Sequence, residues 1–422
     1  MKSFQDCMLM KEATMLSKQL PQMLILHIHV QEDTRMNMLQ QTTWIGLRKN
    51  EYLTVDYLCI GIDFFLNVTK VILVTYPDDF RLQEGKSLVE SLVVEARGLQ
   101  IVKIVTQKYL NHSEYGLGSG KAEEIKEFVK ESNADQIIVD EHLTSKQIHN
   151  LEKLTGVQVI DRERLILNIF YSRATTAEAK LQIQLAEIKY EMPRVRESAK
   201  LTSGGERAGK GGMGEYTVDV KFRDLKRQAS FIKEKLKYAQ RKRELYHQQR
   251  LKTRMPVVSL VGYTSSGKTT LFNLLTDQHK ETSRSLFTTL STTTRSLKIG
   301  DKGVLLTDTI GFISRLPTYM IDAFKSTLEE SLAADLILLL IDSSEKIEDI
   351  RIKYSSCWDV LDELKVDKSK VFVIFSKFDK IHSEQIEEIS KDLEISNPVA
   401  ISSKTGYGIH KLKTMIEDHI VN

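Results

Sequence analysis

The 422-residue sequence predicts an α/β protein in three parts: an N-terminal parallel α/β domain, an antiparallel helical hairpin, then a second α/β domain built on a phosphate loop (P-loop). Three observations predict it. Strand-like apolar runs alternate with helical stretches from Lys70 to about Phe170. Two helical segments with apolar residues at four- and three-residue spacing flank a glycine-rich run. Gly262-Tyr263-Thr264-Ser265-Ser266-Gly267-Lys268-Thr269 meets every fixed position of GxxxxGK[ST], between a strand signal and a helix start. The expected limits are 1–69 for an N-terminal extension, 70–170 for the first α/β domain, 171–254 for the hairpin and 255–422 for the P-loop domain.

Composition sets the outer bounds. A formal net charge of +3 says little about partners, so any basic surface is local. Three widely spaced cysteines, Cys7, Cys59 and Cys357, form no metal or disulfide pattern. They read as reduced, which predicts a cytoplasmic setting. The most apolar run, Tyr57 to Tyr76, contains Asp63, Asn67 and Lys70. Mid-membrane charges cost about 2.5–3.5 kcal/mol each, so no membrane span is expected. No secretory leader pattern opens the chain.

The extension stands apart, with seven of the twelve methionines between Met1 and Met38 and no clear period. It reads as a lineage-specific addition or a consequence of start-codon choice. Leu24 to Val30 suits a strand, and His27 and His29 would share one of its faces as ordinary strand histidines. In the first α/β domain, strands are predicted at Val71–Val74, Ile101–Val105, Ile137–Val139 and Val157–Ile160. Helices are predicted at Ser87–Ala96, Ala122–Val129 and Ser145–Leu154. Gly116 to Lys121 opens a helix and resembles an anion cradle, but lacks the Ser or Thr that would follow the lysine to hold metal, so a plain turn is the preferred reading.

The hairpin rests on Leu181, Leu185, Ile188 and Met192 in one arm, and on Leu225, Ala229, Ile232, Leu236 and Ala239 in the other. Between them, residues 203–214 hold six glycines, a composition expected to stay irregular. The second arm is basic: Glu215 to Arg254 carries thirteen Lys/Arg against five Asp/Glu. A solvated helix face and a phosphate-tracking RNA surface with a flexible tip both fit that count.

In the last part, Met255–Val261 predicts a strand and Thr270–Leu275 a helix start, a geometry that points backbone N–H groups at a phosphate. Lys268 would reach the outer phosphates, and Thr269 would place its hydroxyl on Mg²⁺. The strand Val304–Thr307 ends in Asp308-Thr309-Ile310-Gly311, where Asp308 would hold the Mg²⁺ shell through water and the Gly311 N–H would meet the γ-phosphate. The strand Val371–Phe375 precedes Ser376-Lys377-Phe378-Asp379; a carboxylate there accepts from both N1–H and the exocyclic amine of guanine. Val399–Ile401 leads into Ser402-Ser403-Lys404, placed to touch the base from the other side. Four motifs in this order predict a guanine-nucleotide domain.

Asp308 to Pro317, Ala323 to Glu330, the loop GYTSSGKTTLFN, Leu286-Phe287-Thr288-Thr289-Leu290 and the glycine-rich run together resemble the HflX-type GTPases of the translation-factor-related class. Gly120 to Ile125 and Val159-Ile160-Asp161-Arg162 extend the resemblance, which covers roughly Lys70 to the C-terminus. It implies a P-loop GTPase (G) domain, Mg²⁺ as cofactor, GTP and GDP as ligands, and association with the ribosome through large-subunit rRNA. Thr289 is then the best candidate for the switch threonine of the Mg²⁺ shell, with Thr292, Thr293 and Thr294 as competitors. Lys268, Thr289 and Gly311 are the expected catalytic residues, and Thr269, Thr289 and Asp308 the metal set. The expected nucleotide contacts are Gly262, Tyr263, Thr264, Ser265, Ser266, Gly267, Lys268, Thr269 and Thr270, then Phe287, Thr288 and Thr289, Asp308, Thr309, Ile310 and Gly311, Ser376, Lys377 and Asp379, and Ser402, Ser403 and Lys404.

Three positions depart from the family. Phe312 stands where many GTPases place a water-orienting Gln, so a low intrinsic rate is expected, with a partner supplying or organising the missing group. Ser265 replaces an Asn linked in related GTPases to K⁺, which puts potassium activation in doubt. Ser376 replaces the Asn that braces the phosphate loop, which predicts weaker affinity with guanine preference retained by Asp379. A monomer without an added C-terminal domain is expected. The function implied is GTP hydrolysis by a ribosome-bound factor acting in splitting, rescue or assembly. The alternative is an RNA-binding or remodelling protein whose main activity lies in the N-terminal α/β domain.

Overall fold

From Thr69 onward the chain forms two mostly parallel sheets joined by a long helical hairpin. The computed structural model describes residues 44–47, 51–54, 68–94, 97–203, 213–253, 255–277, 286–287, 292–300 and 302–421. Two compact units divide between Val68 and Thr69. In the first, Trp44–Leu47 (β1) pairs antiparallel with Glu51–Thr54 (β2). The strand expected at Leu24–Val30, with His27 and His29, lies outside the described residues.

The second unit, Thr69–Asn422, opens with the sheet of the N-terminal α/β domain. Its elements are Thr69–Thr75 (β3), Asp79–Ser91 (α1), Val93–Val94 (β4), Arg97–Thr106 (β5), Ser119–Ser132 (α2), Gln136–Val139 (β6), Ser145–Thr155 (α3), Gln158–Asp161 (β7) and Arg162–Arg173 (α4). The strand order is β4-β5-β3-β6-β7. All neighbours pair in parallel except β4, which runs antiparallel to β5. Val71, Ile72, Leu73 and Val74 are fully buried, as a strand covered by helices on both faces requires.

The first helix lies earlier than the expected Ser87–Ala96. The Asp78 carboxylate accepts from the Arg81 N–H at 2.9 Å and so starts α1 at Asp79. The chain leaves the helix at Leu92, and Val93 and Val94 pair as strand against Gly98 and Arg97. At Gly116–Lys121 the chain turns into α2, and the Gly118 N–H at the head of the helix is met by Gln107 Oε1 at 3.3 Å.

Ala177–Ser203 (α5) and Met213–Thr253 (α6) form the hairpin. Leu185, Ile188 and Val195 pack against Leu225 and Ile232, with Leu181, Met192, Ala229 and Leu236 along the same seam. At the ends of the glycine-rich run, Ser203 belongs to α5 and Met213 and Gly214 to α6; residues 204–212 lie outside the described residues. Pro193 lies inside α5, where it forfeits one backbone hydrogen bond without ending the helix.

The G domain holds Val257–Gly262 (β8), Lys268–Thr276 (α7), Thr293–Ile299 (β9), Lys302–Asp308 (β10), Thr318–Leu332 (α8), Leu336–Asp342 (β11), Ile347–Glu363 (α9), Val371–Ser376 (β12), Ser383–Asp392 (α10), Val399–Ala400 (β13) and Ile409–Val421 (α11). The strand order is β13-β12-β11-β8-β10-β9, with β9 antiparallel to β10 and the rest parallel. Order reverses at β8, so the loop after it lies where doubly wound sheets hold ligands. One core cluster runs across both sheets: Phe170 of α4 meets Phe287 edge-on at 4.7 Å and Phe324 of α8 at 5.2 Å.

Candidate functional site

The phosphate loop is shaped by close approach. Gly262 ends β8 at φ +147°, and a Cβ there would stand 2.3 Å from the Leu340 carbonyl oxygen, so only glycine fits. Gly267 precedes α7, which starts at Lys268. Lys268 Nζ curls back over the loop and donates to the carbonyls of Gly262 at 3.0 Å and Tyr263 at 2.7 Å. Burial pushes its pKa down to about 8, with the Asp308 carboxylate opposing the shift. Thr264 Oγ1 and Ser266 Oγ are buried with no hydrogen-bond partner among the described residues. Buried hydroxyls are rarely left so; Thr264 and Ser266 line a small cavity between the loop and α9, with Leu340, Ile350 and Cys357. Ser265 and Thr270 face solvent.

Asp308 ends β10 beside Leu260 of β8. Its Oδ2 accepts from Thr269 Oγ1 at 3.1 Å, so the two expected metal ligands are adjacent. Thr309 Oγ1 donates to the Leu260 carbonyl at 2.7 Å and pins the turn, while Ile310 is buried. A Cβ on Gly311 would come within 3.0 Å of Thr264 Cα and 3.2 Å of Lys268 Nζ, so this glycine also lies tight against the loop. The Phe312 N–H donates to the Gly262 carbonyl at 3.1 Å, and its carbonyl accepts from the Thr264 N–H at 2.8 Å. The Phe312 ring is buried in the core cluster. Its backbone therefore stitches the Asp308–Gly311 turn to the phosphate loop, while the ring faces away from water chemistry.

At the base end, Ser376 keeps a link to the phosphate loop. Ser376 Oγ reaches the Ser266 carbonyl at 2.7 Å and the Ile341 carbonyl at 3.0 Å, so a hydroxyl ties β12 to the phosphate loop. Lys377 sits in the left-handed region at φ 59° with its ammonium on Asp342. Asp379 Oδ1 accepts from Ser402 Oγ at 2.6 Å, and that bond holds its carboxyl below the usual carboxylate range. Ser403 is half-buried and Lys404 exposed beside it.

Thr288 and Thr289 lie outside the described residues. Phe287 is buried edge-on to Phe170, so its ring is committed to that contact. Of the competing threonines, Thr293 and Thr294 begin β9, and Thr294 Oγ1 is 3.0 Å from Thr307 Oγ1; Thr292 lies just ahead of the strand.

A cluster beneath the loop joins Tyr263, Arg162, Ser314 and Arg315, all in motifs quoted above, to Glu84, Asp140 and Glu141, which lie in none of them. The Tyr263 hydroxyl bonds Glu84 of α1 and accepts from the Ser314 N–H at 2.7 Å. Arg162 donates from Nη2 to Glu84 Oε2 at 2.8 Å and the Ser314 carbonyl at 3.0 Å, and from Nη1 to Asp140 Oδ1 at 2.5 Å. Arg315 adds contacts to Asp140 at 3.3 Å and Glu141 at 3.2 Å. Burial works to raise Glu84, but Arg162 and the hydroxyls of Ser314 and Tyr263 outweigh it and hold the carboxyl below its usual range. Burial, then the Glu84 charge, drives the Tyr263 phenol well above its ordinary value. The N-terminal sheet thus grips both the phosphate loop and the segment after Gly311.

Comparisons with known proteins bear on the family of this chain. A family described as the GTP-binding GTPase N-terminal region matches residues 81–171, one described as its middle region matches 173–250, and one described as 50S ribosome-binding GTPase matches 257–377. GTPase HflX of Methanocaldococcus jannaschii is 42% identical over 321 residues, covering 76% of this chain and 79% of that protein. GTPase HflX of Escherichia coli K12 is 38% identical over 336 residues, covering 78% and 77%. A solved structure of a GDP complex, SsGBP, aligns over 84% of this chain and 98% of its own at 24% identity and a TM-score of 0.49. With relatives this similar along most of both chains, the protein belongs to the HflX family of GTPases.

Proposed function

We propose that this GTPase is a cytoplasmic factor that binds ribosomes at the large subunit and uses GTP to switch its hold on them. The observation that carries the reading is the basic second arm of the hairpin, thirteen Lys/Arg against five Asp/Glu, joined directly to the strand that leads into the phosphate loop. Such an arm suits rRNA phosphates. The matching family's description as 50S ribosome-binding supports the same partner.

In hydrolysis, water attacks the γ-phosphate in line, and charge grows on the phosphoryl oxygens. We assign Lys268, the loop N–H groups and the Gly311 N–H to meet that charge. Thr269 and Asp308 supply hard oxygen donors and fit Mg²⁺, which when bound neutralises phosphate charge. Ser376 and the Asp379–Ser402 pair shape the guanine end. Because Phe312 is a core residue with no group to orient water, the intrinsic rate is low and ribosomal contact raises it. GTP orders the segment through Gly311, and hydrolysis releases it.

The test is co-sedimentation of the full chain with ribosomal subunits under GDP, GTP and a non-hydrolysable analogue. Large-subunit binding that is stronger with the analogue than with GDP is expected. Equal or absent binding in all three states would overturn the ribosomal reading. Nucleotide turnover or RNA remodelling by residues 69–254 alone would favour the N-terminal alternative.

A further inference from the structure

The side of α6 that faces away from α5 carries a pattern the hairpin's packing does not use. Leu225 and Ile232 fill the seam. Phe231 and Tyr238 lie off it, 58% and 75% exposed. Arg227, Phe231, Lys235, Tyr238 and Arg241 follow one another at helical spacing and share that outward face. Lys235 Nζ stands 4.4 Å from the centre of the Phe231 ring, a cation–π contact on a side chain that stays exposed. At 1.5 Å per residue the two aromatic residues are roughly 10 Å apart along the axis.

Scattered exposed aromatics are common. Two of them one heptad apart, with cations at the intervening turns, need a different account, and neither contributes to the seam. Asp224 and Glu234 lie near the stripe, but Asp224 is taken by Arg227 at 2.8 Å and Gln228 at 2.7 Å. The arm's excess of cations matches a polyanion. A polyanion that also offers flat apolar faces is a nucleic acid with unpaired bases. Paired RNA hides its base faces and presents a deep, narrow major groove that side chains do not read.

We propose that this face is a base-stacking platform for single-stranded RNA: Phe231 and Tyr238 each take an unpaired base, and Arg227, Lys235 and Arg241 hold the flanking phosphates. The inference rests on the RNA reading of the hairpin and narrows it to looped or bulged segments. Stacking on an aromatic side chain is sequence-tolerant, so shape and strandedness rather than base identity would set the preference.

The test uses the full chain with a non-hydrolysable GTP analogue and two labelled RNAs of equal phosphate number, a stem with a large unpaired loop and a blunt duplex. Tighter binding of the loop is expected. Phe231→Ala and Tyr238→Ala should each weaken loop binding roughly tenfold and leave duplex binding unchanged, with no change in salt dependence. Phe231→Tyr and Tyr238→Phe should restore loop binding. Equal affinity of the unmodified chain for loop and duplex, or alanine variants that bind the loop as well as the unmodified chain does, would overturn the platform. The two readings fail separately. A chain that sediments with large subunits whether or not Phe231 and Tyr238 are present keeps the ribosomal function and loses the platform. A chain that ignores subunits but prefers the loop through these rings keeps the platform and loses the ribosomal partner.

Discussion

Arg162 is the only guanidinium among the described residues that touches Glu84, Asp140 and the Ser314 carbonyl at once, and it is 3% exposed. Replacing it with Met removes the cation closest to both buried carboxylates and leaves only Arg315, 3.3 Å from Asp140 and 3.8 Å from Glu84, a loss of about 3–5 kcal/mol. The pH dependence should weaken with it. In the unmodified chain the Glu84 pKa is held below its unfolded value, so its contribution is present above that value and lost as pH falls through the folded one. In Arg162→Met the largest of the influences that lower Glu84 is gone, while the Ser314 and Tyr263 hydroxyls and Arg315 remain, so the variant should lose less stability on acidification than the unmodified chain does; a melting profile parallel to the unmodified chain would contradict this. Lys268 gives a second expectation. Its pKa of about 8 must rise when phosphate arrives, so nucleotide binding takes up protons and affinity falls as pH climbs above 8. Calorimetry at pH 9 in buffers of different ionisation enthalpy should show that uptake, and Lys268→Met should abolish it. Asp379→Asn turns an acceptor into a donor and should shift preference from guanine to xanthine nucleotides, read by competition against a labelled GDP. Lys268, Asp308 and Asp379 were legible because each lies in a short pattern after a strand. The part played by Tyr263 was not, since its partner Glu84 is 179 residues away. Nor was the hydroxyl brace of Ser376, which depends on how closely β12 approaches the loop.

Among the elements, what the sequence showed best was periodicity over many residues. The seam of α5 and α6 follows from apolar spacing, and the parallel strands from runs of buried Val, Ile and Leu. Short or one-sided elements were missed. β9, Thr293-Thr294-Arg295-Ser296-Leu297-Lys298-Ile299, is an antiparallel edge strand with only Leu297 and Ile299 buried, too weak a pattern beside three threonines already considered for the switch. The start of α1 was set by the single carboxylate of Asp78 rather than by hydrophobicity. The hairpin also divides into parts that should fail differently. Removing 204–212 through a short linker should leave intrinsic GTP hydrolysis unchanged, because the whole of α6 separates the segment in sequence from the phosphate loop, and should blunt the effect of ribosome binding. Reversing the charge at Lys226, Lys233 and Lys237, all exposed on α6, should weaken binding itself. Each lost phosphate contact should lower the salt slope by about 0.9, taking the value for duplex DNA as a guide for RNA. Two variants that bind and respond like the unmodified chain would make the hairpin a spacer between the sheets.

For the molecule as a whole, the unit Thr69–Asn422 is held by a core that no single sheet completes. Phe170 belongs to the N-terminal sheet's last helix, yet its ring packs edge-on between Phe287 and Phe324 of the G domain. Polar contacts follow the same line: Tyr319 at the start of α8 donates to Glu163 of α4 at 2.9 Å, and the Leu286 N–H to Ser91 Oγ of α1 at 2.7 Å. Movement of the segment after Gly311 therefore works against packing as well as charge, so the nucleotide site and the N-terminal sheet are parts of one mechanical unit. A chain starting at Thr69 should keep that unit and its GTPase activity, and should melt in a single transition. Residues 255–422 alone would expose Phe287, Phe312, Ile313 and Phe324, which should lower the melting temperature and let the fragment bind a hydrophobic dye. Phe170→Ala isolates the same coupling within the intact chain. It should cost about 3–5 kcal/mol, because a buried ring is replaced by a cavity between two aromatic neighbours. The loss should appear at once in the melting of both sheets, followed by hydrogen exchange in β3 and β11. If exchange in β11 is unchanged while β3 opens, the two sheets are independent bodies and their shared core does not couple them.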